Sequence, residues 1–107
     1  MKKYFVHKTA IIETKAIGDN SQIWAFVHIL SGAKIGRSAN IGDHCFIENE
    51  VTIGNNVTIK NGVSLWDGIT LEDNIFIGTG VAFTNDLFPR SKNVQYKQEK
   101  TFVKEGA

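Results

Sequence analysis

Two polar pairs in the chain have the types and the spacing to do chemistry together. Asp67 and Asn85 stand eighteen residues apart, and Asp86 stands twice that distance from Glu50. Carboxylates can hold hydroxyls or carry a proton, and a carboxamide can donate N–H bonds to a developing oxyanion. Trp66, beside Asp67, adds a flat apolar wall. These residues meet only if the backbone returns to the same place every eighteen residues.

The rest of the sequence supplies such a frame. Ile11, Ile17, Ile23, Ile29, Ile35, Ile41, Ile47, Ile53, Ile59, Leu65, Leu71, Ile77 and Phe83 fall at every sixth position without a gap. Six is far from the 3.6 of a helix but is a multiple of the strand period of two. Two residues earlier runs a second row: Val27, Ala33, Ala39, Cys45, Val51, Val57, Val63, Ile69, Ile75 and Val81. Positions two apart on a strand share a face, so both rows should point inward. Between them lie Gly18-Asp19-Asn20, Gly36, Gly42-Asp43, Gly54-Asn55-Asn56 and Asp73-Asn74, residues that accept the left-handed backbone of a tight corner.

Three strands and three corners close a coil of eighteen residues, giving coils 11–28, 29–46, 47–64 and 65–82. Stacked coils make an all-β parallel β-helix in which each strand pairs about 4.8 Å from its neighbours. The first face carries Ile29, Ile47, Leu65 and Phe83, the second Ile35, Ile53 and Leu71, and the third Ile23, Ile41, Ile59 and Ile77. The corner after the first face stacks Ser31-Gly32, Asn49-Glu50, Asp67-Gly68 and Asn85-Asp86. This column is either a site or ordinary corner chemistry, since Asn and Asp favour corners for backbone reasons alone. Corner chemistry accounts well for Asn20, Asn55, Asn56 and Asn74. It accounts less well for Asp67 and Asn85, whose corner also releases a loop.

That loop is expected over 84–102, where the hexads break and the one proline, Pro89, sits. Val103 and Ala107 resume the rows. Residues 1–10 read as a lead-in, with Phe5 and Val6 covering the open first coil. The chain reads as one domain, 1–107, with its last coil begun and unfinished, as expected of a piece of a longer protein or of an end that a partner covers. Leu30, Phe46 and Trp66 should face outward on the first face and Trp24 and Phe76 on the third, while the second shows only polar or small groups. Outward aromatics on two faces suggest a homo-oligomer.

Twelve basic and eleven acidic residues leave a net charge of +1, with no basic patch for nucleic acid. No apolar run approaches a membrane span, and the start lacks a secretory core, so a cytoplasmic protein is expected. Cys45 sits in the inward row as a small buried residue. His7, His28 and His44 are not separated by whole coils, which argues against a shared metal site. A metal hydrase on the same scaffold is therefore a weaker reading, and so is a structural β-helix without a site.

The hexads resemble those of the hexapeptide-repeat acyltransferases. Ile23-Trp24-Ala25-Phe26-Val27-His28, Asn61-Gly62-Val63-Ser64-Leu65-Trp66-Asp67-Gly68, Leu71-Glu72-Asp73, and Phe83-Thr84-Asn85-Asp86 with Pro89-Arg90 are similar to the members that acetylate the 3-amino group of nucleotide-linked sugars. The resemblance implies a left-handed β-helix, a homotrimer with sites between subunits, and acetyl-CoA as co-substrate without a metal. The implied sugar carrier is dTDP on a 3-amino-3,6-dideoxyhexose, with a UDP-linked 3-amino uronic acid as the alternative. It further implies that Asn85 is catalytic, orienting the amine or thioester and helping the oxyanion, and that Asp67, Asp86 and Trp66 hold the sugar.

Overall fold

A computed structural model of the protein describes residues 3–83 and 101–105. The hexads become thirteen short strands joined by corners: β1 Phe5–Val6, β2 Ile11–Ile12, β3 Gln22–Ile23, β4 His28–Ile29, β5 Lys34–Ile35, β6 Asn40–Ile41, β7 Phe46–Ile47, β8 Thr52–Ile53, β9 Thr58–Ile59, β10 Ser64–Leu65, β11 Ile69–Leu71, β12 Phe76–Ile77 and β13 Thr101–Val103. They form three parallel sheets, in the orders β10-β7-β4-β2 (first face), β13-β11-β8-β5 (second) and β1-β3-β6-β9-β12 (third). From β3 to β12 the register steps by eighteen, as in Ile29 against Ile47 and Leu65 and in Ile35 against Ile53 and Leu71. The architecture is the expected three-sided β-helix of about four turns, consistent with the left-handed form.

Both inward rows fill the axis. Ile23, Ile29, Ile41, Ile47 and Leu65 are fully buried, and Val27, Cys45, Val51, Val57 and Val63 sit between them with no more than 1% exposure. Burying one such branched side chain contributes about 1.5–3 kcal/mol. Because every rung repeats the same cross-section, β-branched residues stack on residues of the same shape.

The corners are built differently from the expectation. Gly36, Gly42 and Gly54 do not have a left-handed backbone; the left-handed places belong to Asn20, Phe26, Ser38, His44, Asn56, Asn74, Gly62, Gly68 and Gly80. What excludes a side chain at Gly36, Gly42 and Gly54 is the next coil. A Cβ there would lie 2.5, 2.3 and 2.4 Å from the Oδ1 atoms of Asn55, Asn61 and Asp73. Those oxygens belong to a third row that the apolar pattern does not reveal. Asp43, Asn49, Asn55, Asn61, Asp67 and Asp73 each accept a backbone N–H of the preceding coil, from Ala25, Gly32, Arg37, Asp43, Glu50 and Asn55, at 2.7–3.0 Å. Corner amides that would otherwise be left to water are thus satisfied by the coil above.

The first coil departs from the arithmetic. Phe5 pairs with Gln22 and Ile11 with His28, a step of seventeen, whereas Ile17 bridges Ile35 at eighteen. One residue is therefore missing between Ile12 and Ile17. Ile12 takes the inward place and Ile11, expected inside, is 58% exposed. Buried Thr14 fills the shortened corner, where its hydroxyl donates to the Ala33 carbonyl at 2.6 Å and accepts from the Ala16 N–H at 3.1 Å. The lead-in is not simply a cap: β1 extends the third sheet, with Val6 against the core and Phe5 outside, 5.2 Å from Trp24.

At the other end β13 lies on β11, Val103 opposite Leu71, so residues 101 and 102 of the stretch expected to be loop are in the sheet. Val103 follows Leu71 by thirty-two positions instead of eighteen, which makes the insertion fourteen residues long. Residues 84–100, including the rest of that loop, and residue 107 lie outside the described residues. The exposed Phe102 sits on the second face, so aromatics do not avoid that face as its hexads suggested. Val81, expected inside, is also exposed.

Candidate active site

The corner after the first face is where the sequence placed its chemistry. Two of the four named residues, Trp66 and Asp67, are described there; Asn85 and Asp86 lie outside the described residues. Trp66 follows the buried Leu65 on β10, so its ring stands on the outer surface and is half-buried against the core. Its Nε1–H donates to the Phe83 carbonyl at 2.8 Å, and its ring centroid lies 5.8 Å from that of Phe46. Phe46 in turn meets His28 edge-on at 5.7 Å, and the His28 Nε2 lies 3.0 Å from Glu13 Oε2. The first face therefore carries a continuous outward column, which fixes the plane of the indole.

Asp67 is pinned on both sides. Its Oδ1 accepts the Glu50 N–H at 2.8 Å, and its own N–H donates to Glu48 Oε1 at 2.9 Å. Gly68, with a φ of 97°, lets the chain turn immediately afterwards, and its N–H reaches the Glu50 carbonyl at 2.8 Å. Asp67 thus belongs to the row of corner acceptors, and its neighbour Trp66 lines a surface cavity of about 200 Å³. Gly62, Ser64, Trp66, Val81, Ala82 and Phe83 line that cavity. The sequence reading missed this cavity, because it expected Val81, one of the lining residues, inside the coil.

Elsewhere the groups that could react are tied up. Cys45 is buried, its thiol 3.2 Å from the Lys60 carbonyl, and burial pushes its pKa up and away from thiolate chemistry. His7 closes a turn, its Nδ1 2.9 Å from the Thr9 hydroxyl. Among the described residues no three His, Cys, Asp or Glu side chains gather where they could hold a metal ion, and no helix is long and apolar enough to cross a membrane.

Residues 16–49 match the family described as bacterial transferase hexapeptide (six repeats). Over that stretch the chain is similar to those transferases, and its eighteen-residue coils and paired inward rows form a β-helix built on six-residue repeats. Over 37 residues it is 65% identical to dTDP-3-amino-3,6-dideoxy-alpha-D-galactopyranose 3-N-acetyltransferase of Aneurinibacillus thermoaerophilus; the shared stretch is 35% of this chain and 19% of that protein. The match thus spans about a fifth of that relative's length.

Proposed function

We propose that the protein is part of an N-acetyltransferase that moves an acetyl group from acetyl-CoA to the 3-amino group of a dTDP-linked amino-deoxysugar, for bacterial surface polysaccharide or glycan synthesis. The observation that carries this reading is the 65% identity to an enzyme of that name. The neutral amine attacks the thioester carbonyl, the C–N bond forms as the C–S bond breaks, and CoA leaves as its thiol with the amine's proton. Asn85 steadies the oxyanion and orients the reactants, while Asp67, Asp86 and Trp66 hold the sugar. Two features support the placement: Trp66 is anchored to Phe83, two residues before Asn85, and the cavity opens beside both. In this reading the protein works in the cytoplasm as a homotrimer with sites between subunits.

The test is thiol release from acetyl-CoA in the presence of dTDP-3-amino-3,6-dideoxygalactose. Asn85→Ala should lower kcat at least a hundredfold. Asp67→Asn keeps an oxygen for the Glu50 N–H, so it should leave the melting temperature unchanged while raising KM. Full activity of Asn85→Ala, or no thiol release with any nucleotide-linked amino sugar, would refute the reading.

A further inference from the structure

We propose that Phe26, His44 and the gap at Gly62 form a stacking subsite for the base of a nucleoside diphosphate. This rests on the nucleotide-sugar reading and assigns its base to one corner.

The corner between the third and first faces has one left-handed position per coil, filled in turn by Phe26, His44, Gly62 and Gly80. In the corner between the second and third faces the same position holds Asn20, Ser38, Asn56 and Asn74, small polar residues that tolerate positive φ. A phenylalanine at φ 59° is an unfavourable choice on backbone grounds, where histidine is tolerated, and such choices cluster at ligand sites. Neither ring is kept there by the core: both are exposed, Phe26 by 58%. Instead they stack on each other, with centroids 5.0 Å apart and planes 17° from parallel.

The stack has one closed end and one open end. On the Phe26 side lies the lead-in, whose Thr9 Oγ1 accepts the Phe26 N–H at 2.9 Å. On the His44 side the next residue in the column is Gly62, where a Cβ would meet nothing within 4 Å. The column therefore leaves room for one more flat ring over Gly62, continuing the stack. Gly62 also lines the cavity that runs to Trp66. A base on His44 would send its ribose and phosphates across the first face toward Trp66 and Asp67, where the sugar is proposed to lie. Stacking on exposed rings suits any base, and the position over Gly62 sets how large a ring system fits.

The test is titration of the protein with dTDP, followed by calorimetry, alongside His44→Asn and Gly62→Asn. Asparagine keeps the left-handed corner in both variants; the first removes the ring and the second fills the gap. Each should weaken dTDP binding roughly tenfold or more, with the melting temperature unchanged. Phe26→Asn, one ring further away, should do less. Unaltered affinity in both variants, or no dTDP binding by the parent, overturns the proposal. So does loss of self-association by His44→Asn at constant dTDP affinity, which would make the stack a contact between copies. Acetyl transfer with an unchanged KM in His44→Asn sinks the subsite and leaves the enzyme reading standing. Nucleotide binding through His44 without any acetyl transfer does the reverse.

Discussion

The two ends of the coil stack break the eighteen-residue rhythm in opposite ways. The first coil is one residue short, and the last described one carries fourteen extra. The deletion is absorbed inside. It draws the chain inward, and Thr14, 5% exposed, bridges the shortened corner with two hydrogen bonds. Beyond the insertion the fastening is at the surface. Where the chain returns, exposed polar groups clasp it: Glu72 accepts the Glu105 N–H at 3.1 Å and lies 3.3 Å from Lys104 Nζ, and Asn74 meets the Glu105 carboxylate. The missing residue is repaired by a polar atom in the core, whereas the strand that follows the insertion is fastened on the surface. Damage to the first repair should therefore cost far more than damage to the second.

The undisturbed middle sets the scale. Ile47→Ala, in a rung paired above and below, should cost about 2–5 kcal/mol in chemical denaturation. Thr14→Val leaves the Ala33 carbonyl and the Ala16 N–H without their partner and should cost about 1–3 kcal/mol. A loss as small as that of a surface change would mean that the hydroxyl does not carry the shortened corner. Ile11→Ala should change stability by less than about 0.5 kcal/mol, against a core-sized loss for Ile12→Ala. Equal effects would restore the unbroken hexad. The smallest effect is expected at the clasp. The Glu105 N–H holds the Glu72 carboxyl below its ordinary range; desolvation opposes it, Lys104 adds to the lowering, and Asp73 works against it. The folded pKa is depressed, so the contribution is present above the ordinary glutamate range and is lost as pH falls through the folded value. Protection of the β13 amides relative to their intrinsic exchange rate should therefore fall in acid, and Glu72→Gln should remove that dependence. An acid response that survives in Glu72→Gln would place the clasp elsewhere.

The apolar rows of the sequence carried most of the fold, because a core residue announces itself by type and a coil by spacing. The register slip at Ile11 and Ile12 was hidden because either isoleucine satisfies the pattern; only the shortened corner after them selects between the two. The row from Asp43 to Asp73 was visible as corner formers but not as acceptors, since nothing in a single position says which amide it will meet eighteen residues away. At the candidate site, the sequence set Trp66 outward on the first face and Asp67 at the corner after it. It gave no sign of the cavity beside Trp66, because it expected Val81 inside, whereas the structure turns it out to line that cavity. Asn85 lies in the same six-residue series as Asp67 and Asp73, so its position in the sequence fits a corner acceptor as well as a catalytic amide.

The one-way reach of that acceptor row bears on how the protein is made. A corner amide such as that of Arg37 finds its partner only when Asn55 has been synthesised, and Asn55 waits in turn for Asp73. During translation each freshly emerged turn is provisional, and the following one secures it. On the ribosome the newest rung is therefore the one whose acceptor-row amides are still unmet, and each further coil should close those of the coil before it.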